Sequence, residues 1–205
     1  MVGSRTTRYS RIREDVVTIA TARIYAISGS LRQRSTNSAL LRALAEVSPE
    51  CMAIEICDCI GDLPIFNPDL EGDLTPASVA HFANKVRAAD ALIIACPEYA
   101  HGIPGGLKNA LDWLVSRDEI PHKPVMLARA SNRSDYAHTA LREVLNTMSV
   151  ALTPKTTISI HLLGKPSPEI AGILDAPDTK ACMRRGLVEF TDWIKACRLR
   201  TGARE

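Results

Sequence analysis

Short apolar runs alternate with amphipathic stretches along most of this chain. Arg23–Ile27 reads as a short buried strand. Ser38–Val47 reads as a helix, with Leu40, Leu41, Leu44 and Ala45 on one face and Ser48-Pro49 ending it. Met52–Cys57 predicts a second strand. Thr75-Pro76 opens the next helix, Thr as cap and Pro in the first turn, with Val79, Phe82, Ala83 and Val86 turned inward. Ala91–Ala95 is ALIIA, with no polar alternation, and so predicts a strand covered on both sides within a parallel sheet. A helix begins near Leu107 and buries Leu107, Ala110, Leu111 and Leu114. Pro124–Ala130 is a fourth strand and Tyr136–Met148 a helix. Thr153–Ile160 is a fifth, β-branched strand. Asp178–Cys197 is the last helix, its face set by Met183, Leu187, Phe190 and Ile194.

Strict β-α alternation implies a doubly wound α/β sheet, five parallel strands with helices on both faces. Ligands in such sheets bind beyond the carboxyl ends of the strands, at the switch point beside the first strand. The loops after strands one, three and four meet there. The Pro- and Asp-rich passage 61–69 is a long surface connection of the kind that borders ligands. With no repeat, linker or low-complexity block, residues 21–198 are expected to form one domain. Residues 1–20 are expected to be a disordered leader and 199–205 a loose tail.

Composition narrows the classes. The chain has 205 residues and a net charge of +2, so no strong field points to nucleic acid or a membrane surface. No apolar run is long enough to span a membrane. The first twenty residues lack the apolar core of a signal peptide and carry Arg5, Arg8, Arg11 and Arg13. Six cysteines stand at 51, 57, 59, 96, 182 and 197, in no zinc spacing. They read as reduced thiols of a cytoplasmic protein, with Cys57-Asp58-Cys59 open as a redox pair.

The chemistry gathers at Ala26–Asn37, AISGSLRQRSTN. A strand ends, one glycine turns the chain, and a helix starts with its positive end toward the gap, which is how a backbone builds an anion site. Ser28, Ser30, Ser35, Thr36 and Asn37 can hydrogen-bond phosphate oxygens, Arg32 and Arg34 can neutralise them, and Ser35 or Asn37 can cap the helix. The loop lacks the three glycines of a dinucleotide fingerprint and the Gly-Lys-Ser/Thr of a P-loop. Hydroxyls in place of glycines suit one terminal phosphate, as on a mononucleotide such as FMN. An ordinary polar turn with a cap explains the same residues. A mononucleotide-type first loop on five strands favours the flavodoxin-like order 2-1-3-4-5.

Taken together, Gly29-Ser30-Leu31-Arg32, Ser35 and Asn37, then Pro97-Glu98-Tyr99 and Pro104-Gly105-Gly106-Leu107-Lys108-Asn109-Ala110-Leu111-Asp112-Trp113, resemble the NADPH-dependent FMN reductase family. That family includes quinone, azo-dye and chromate reductases, and the resemblance runs over roughly residues 22 to 195. It implies that Ser30, Arg32, Ser35 and Asn37, with Thr36 among them, hold the FMN phosphate. It implies that Pro97, Glu98 and Tyr99, with Ala100 next, run along the isoalloxazine edge. Gly105 and Gly106 would stand where backbone passes close to a ligand or partner subunit. Lys108, Asn109, Asp112 and Trp113 read as structural or interfacial. Two departures stand out. Ala100, followed by His101, replaces a frequent Asn. The usually Gly-rich loop after strand four is Ser131-Asn132-Arg133-Ser134-Asp135, which leaves Ser131 and Arg133 as candidates at the flavin.

The implied activity passes hydride from NADPH or NADH through bound FMN to free flavin or a quinone-like small molecule. No separate 2′-phosphate site distinguishes the two nicotinamides. No Ser-His-Asp set and no metal site is legible. His101 is a possible donor to an acceptor oxygen, or simply a solvated loop histidine. An electron carrier or a flavin-free partner module of the same fold are the alternatives, although such carriers are usually acidic. The resemblance also implies a homodimer or homotetramer, with contacts near Tyr99 to Trp113.

Overall fold

The computed structural model describes residues 21–133 and 135–202. The expected leader, residues 203–205 of the expected tail, and Ser134 lie outside the described residues. The strands are β1 (Ala22–Ser28), β2 (Met52–Ile56), β3 (Ala91–Ala95), β4 (Pro124–Arg129) and β5 (Ala151–Ser159). The helices are α1 (Thr36–Glu46), α2 (Ala77–Ala88), α3 (Gly105–Asp112), α4 (Asp135–Thr147), α5 (Ser167–Asp175) and α6 (Pro177–Gly202). All strands are parallel, in the order β2-β1-β3-β4-β5. This is the flavodoxin-like order the sequence implies. No helix among the described residues is long and apolar enough to cross a membrane.

The alternation of side chains along each strand divides the core into two halves. Tyr25, Ile27, Leu92, Ile94, Val125 and Leu127 face α2, α3 and α4, meeting Phe82, Val86, Leu107, Leu111, Leu141 and Leu145. Ile24, Ala26, Ile93, Ala95, Met126 and Ala128 face α1, α5 and α6, meeting Leu40, Leu44, Leu174, Leu187 and Phe190. All five residues of β3 are fully buried, which explains its unbroken apolar run.

Several elements differ from the sequence expectation. Helix α5 was not foreseen, because Pro166, Pro168 and Gly172 hide a short helix whose partner is α6. Strand β5 starts at Ala151, two residues early, and its register against β4 shifts between Val125 and Leu127. Helix α6 runs five residues past Cys197. Thr75 does not cap α2. Pro76 occupies the cap position, and the Thr75 hydroxyl donates to Gly72 O at 2.7 Å, closing a 3₁₀ turn instead. The passage 61–74 is folded into short 3₁₀ turns pinned to α3 and does not border the site. Asn109 Oδ1 accepts from Phe66 N at 2.8 Å, and Trp113 Nε1 donates to Pro64 O at 2.7 Å. Asn109 and Trp113 are therefore structural. Lys108 pairs with Asp112 one helical turn on.

Two polar devices stabilise the fold away from the strand ends. Lys123 Nζ donates to Val86 O at 2.8 Å and Ala89 O at 2.7 Å, so a half-buried ammonium caps the carbonyl end of α2. The Glu119 carboxylate is buried between Arg87, at 2.7 Å, and Arg117, at 2.9 Å. Burial opposes its charge, but the two guanidiniums outweigh burial and hold its pKa down at about 2.

The chain after β3 makes a tight antiparallel hairpin. Tyr99 N donates to Gly102 O at 3.1 Å and Gly102 N to Tyr99 O at 2.9 Å. Ala100 and His101 between them have φ of 49° and 59°. Two consecutive left-handed residues define a type I′ turn, which Asn and Gly adopt far more cheaply than Ala.

Two stability measurements follow. Glu119→Gln leaves both arginines short of a charged partner and should cost about 2 kcal/mol at neutral pH. A carboxylate with a lowered pKa stabilises the fold above its ordinary value of 4.5 and loses that contribution as pH falls toward 2. Urea midpoints of parent and variant should therefore differ at pH 7 and converge between pH 4.5 and 2. A constant difference would show that the carboxylate's charge is irrelevant. Ala100→Asn should relieve turn strain of about 0.5–1 kcal/mol and raise the melting temperature by roughly 1–4 °C. An unchanged or lower midpoint would show that the turn carries no strain at that residue.

Candidate functional site

The carboxyl ends of β1, β3 and β4 open into a cavity of about 710 Å³. That is within the ordinary range for a small-molecule site. Its wall includes Ser30, Arg32, Arg34, Ser35, Thr36 and Asn37 from the first loop, and Cys96, Pro97, Glu98 and Tyr99 from the third-strand loop. Ser131 and Arg133 close it from the β4 side. Ten of the eleven residues anticipated at a flavin line this single space, the exception being Ala100. Ala100 and His101 lie at the hairpin turn, outside the cavity wall. The His101 ring stacks on Tyr136 at 4.4 Å and 11°.

Gly29 is what allows the first two loops to meet. A Cβ on it would lie 2.9 Å from Leu107 Cδ2 and 3.1 Å from Pro97 Cδ. Its N–H donates to Ala95 O at 2.8 Å, carrying the β1–β3 pairing one step past the sheet. Gly105 and Gly106 have no comparable constraint. Neither has a positive φ; a Cβ on Gly105 would meet nothing within 4 Å, and one on Gly106 would meet only Leu31 at ordinary contact distance. Within the described chain the close approach falls on Gly29.

Within the first loop the hydroxyls organise the backbone. Ser38 Oγ donates to Ser28 Oγ at 2.9 Å, and Ser28 Oγ accepts from Ser30 N at 3.3 Å. Ser30 Oγ accepts from Arg32 N at 3.4 Å and lies 3.3 Å from Tyr99 Oη, linking the two loops. Ser35 is the N-cap of α1, its hydroxyl accepting from Ser38 N at 3.3 Å, and its own O–H stays available to an acceptor. Asn37 is buried in the first turn, and its Oδ1 has no hydrogen-bond partner among the described residues. A buried amide of this kind is a group waiting for a ligand or a water.

Charge in the wall is one-sided. It carries Arg32, Arg34, Arg133 and Lys165, and Glu98 is its only acid among the described residues. Among the described residues, Arg32, Arg34 and Arg133 have no acidic partner, while Lys165 pairs with Glu169. The Glu98 carboxylate is engaged elsewhere: its Oε2 accepts from Ala137 N at 3.0 Å, in the first turn of α4. It thus caps that helix across 39 residues of sequence. Cavity volume, hydroxyls, a helix N-terminus and uncompensated arginines together fit a phosphorylated ligand.

The sequence reading missed the far wall. Leu163, Gly164, Lys165, Pro166, Ser167, Pro168 and Ile170 come from the loop after β5 and the start of α5. The signal was present: Gly164, at φ 78°, and prolines flanking a serine just before an apolar turn mark a helix start. On the other side of Arg34, Ser35 and Thr36, a smaller cavity of about 420 Å³ lies between α1 and α5.

Comparison with known proteins agrees with this geometry. The model of the family described as NADPH-dependent FMN reductase matches residues 22–162. An NAD(P)H-dependent FMN reductase of Pseudomonas aeruginosa is 34% identical over 160 residues, 77% of this chain and 82% of its own length. The quinone reductase of Escherichia coli K12 is 36% identical over 111 residues, 53% of this chain, which spans 59% of that protein's length. Among solved structures, the flavoenzyme NAD(P)H:(acceptor) oxidoreductase FerB of Paracoccus denitrificans superposes with a TM-score of 0.73. It covers 86% of this chain and 98% of its own at 24% identity, a likeness of fold. With most of the described chain inside the family match and the relative from Pseudomonas aligned over four fifths of its length, this chain belongs to the NADPH-dependent FMN reductase family.

Proposed function

We propose that the protein is an NAD(P)H-dependent, FMN-containing oxidoreductase that delivers reducing equivalents to a small acceptor, quinone-like or free flavin. One observation carries the reading above others. The first loop joins in one cavity at the switch point the N-terminus of α1, a buried Asn37 whose Oδ1 is unpartnered among the described residues, and two arginines without acidic partners among those residues.

Ser30, Arg32, Ser35, Thr36 and Asn37 are the residues suited to the FMN phosphate. Pro97 and Tyr99 supply the wall beside the ring, and Ser131 and Arg133 close the opposite side. When bound, FMN accepts hydride from nicotinamide and returns electrons to the acceptor. The chain's own contribution is placement and charge. The Tyr99–Ser30 contact holds two walls together, Glu98 ties the third-strand loop to α4, and Arg133 adds a cation on the β4 side. His101, in the hairpin turn after Tyr99 and stacked on Tyr136, is a candidate hydrogen-bond donor to an entering acceptor. The six free thiols support a reducing compartment, and we assign the protein to the cytoplasm. Exposed Leu31, Tyr99 and Val115 near α3 support self-association through that region.

The direct test is the colour of the purified protein and its bleaching by NADPH or NADH under argon. A colourless protein that takes up no added FMN would end this reading. The loop is tested by Arg32→Ala, which removes charge-assisted contacts of about 1.5–3 kcal/mol. FMN affinity, followed by flavin fluorescence, should fall roughly 10- to 100-fold, while riboflavin, which has no phosphate, should bind almost unchanged. Equal losses for both ligands would remove the loop from a phosphate role. Arg133→Ala should lower the two-electron midpoint potential by a few tens of mV, since about 30 mV corresponds to 1.4 kcal/mol. Arg133→Lys should recover part of the shift. Identical potentials in an anaerobic dye titration would show that Arg133 does not act on the flavin.

A further inference from the structure

The end of β2 carries a cluster that the cavity does not use. Cys57 Sγ and Cys59 Sγ lie 3.7 Å apart, and Tyr25 Oη lies 3.5 Å from Cys59 Sγ. On a continuing strand, residues two apart sit about 6.5 Å from each other. Here the strand stops at Ile56, and the Cys59 backbone turns to φ −107° and ψ −2°, which brings the two sulfurs together. Cys57 is buried and Cys59 half-buried, so Cys59 is the more exposed residue of the pair. The charged groups near them are Asp58 and Lys85, whose ammonium is shared with Glu55.

We propose that Cys57 and Cys59 form a peroxide-reactive dithiol that closes reversibly to an intramolecular disulfide. Cys59, as thiolate, attacks a hydroperoxide. An S–O bond forms, the O–O bond breaks, and the leaving oxygen takes up the proton given up when the Cys59 thiol ionised, departing as water or an alcohol. The Cys57 sulfur then attacks the sulfenic sulfur of Cys59. An S–S bond forms, the S–O bond breaks, and the Cys57 proton leaves with the hydroxyl as water. The two thiols lose two electrons and the peroxide gains them. A dithiol reductant reverses the step by exchange.

The surroundings support this division of labour. Burial pushes the Cys57 thiol up to about 12, which suits a resolving sulfur and disfavours it as the first to react. Burial also raises the Tyr25 phenol, with both thiols adding to the shift, so its O–H persists as a donor beside whichever sulfur carries charge.

The test treats the fully reduced full-length protein with a small excess of hydrogen peroxide. Remaining thiols are blocked with N-ethylmaleimide, and peptides are weighed. The peptide containing Cys51, Cys57 and Cys59 should lose two hydrogens, about 2 Da, with Cys51 alone alkylated, and dithiothreitol added before the block should leave all three thiols open to alkylation. Cys51→Ser should keep the loss and Cys59→Ser should abolish it. Cys57→Ser should stop at a Cys59 sulfenic acid that dimedone captures. Cys57→Ala, which adds no buried hydroxyl, should do the same and covers a folding failure of the serine variant. The proposal is overturned if the loss survives Cys59→Ser, if the bridge forms between two molecules, or if Cys59 reacts no faster than Cys51.

Discussion

The contact of Gly29 with Pro97 and Leu107 is the constraint on which the site depends. β1 and β3 are neighbours in the sheet, but their chains leave it in opposite directions, one toward α1 and one toward α3. A cleft between such loops normally opens at the switch point. Here the first step of the first loop stays hydrogen-bonded to Ala95 O, and the missing Cβ lets Pro97 and Leu107 close over it. The opening is therefore displaced past Gly29, to where Ser30 meets Tyr99 and the first turn of α1 begins. One glycine lets the two loops close together, and the hydroxyls beyond it line the cavity.

Charge is distributed in a way that separates folding from binding. Glu119 sits between two guanidiniums, Lys123 on the carbonyls ending α2, and Glu98 on the amides starting α4. Each of these groups is compensated inside the protein, so each contributes to rigidity and little to the outside field. Arg32, Arg34 and Arg133 have no such compensation among the described residues. In a chain whose net charge is only +2, this local excess is what can concentrate an anion at the strand ends.

Most of this was legible in the sequence, for identifiable reasons. The unbroken ALIIA run can only be a strand covered on both faces, and it located the sheet centre. Ser35 was readable as a cap because a hydroxyl three residues before a free amide is a local relation. What failed to read was long-range or masked by breakers. The bond by which Glu98 caps α4 did not read, because its partner, the Ala137 amide, lies 39 residues away. The crowding within the chain at Gly29 did not read, because its neighbours come from the end of β3, the residues just after it, and α3. Helix α5 was hidden by its prolines, and the far wall of the cavity with it.

The loop without glycines after β4 illustrates how such a site tolerates substitution. A glycine-rich loop presents backbone amides because nothing else is there to present. In this chain the Arg133 amide donates to Ser131 Oγ at 3.0 Å, a local turn that satisfies the backbone from within. With that amide engaged, the loop meets the cavity through the side chains of Ser131 and Arg133. A fixed row of neutral dipoles is thus exchanged for a long, mobile cation. The exchange gives up backbone amides at the cavity wall and places a full positive charge there instead. By the same reasoning, the strained hairpin at Ala100 and His101 is tolerable because the Glu98 bond and the His101–Tyr136 stack hold that loop to α4 from both sides.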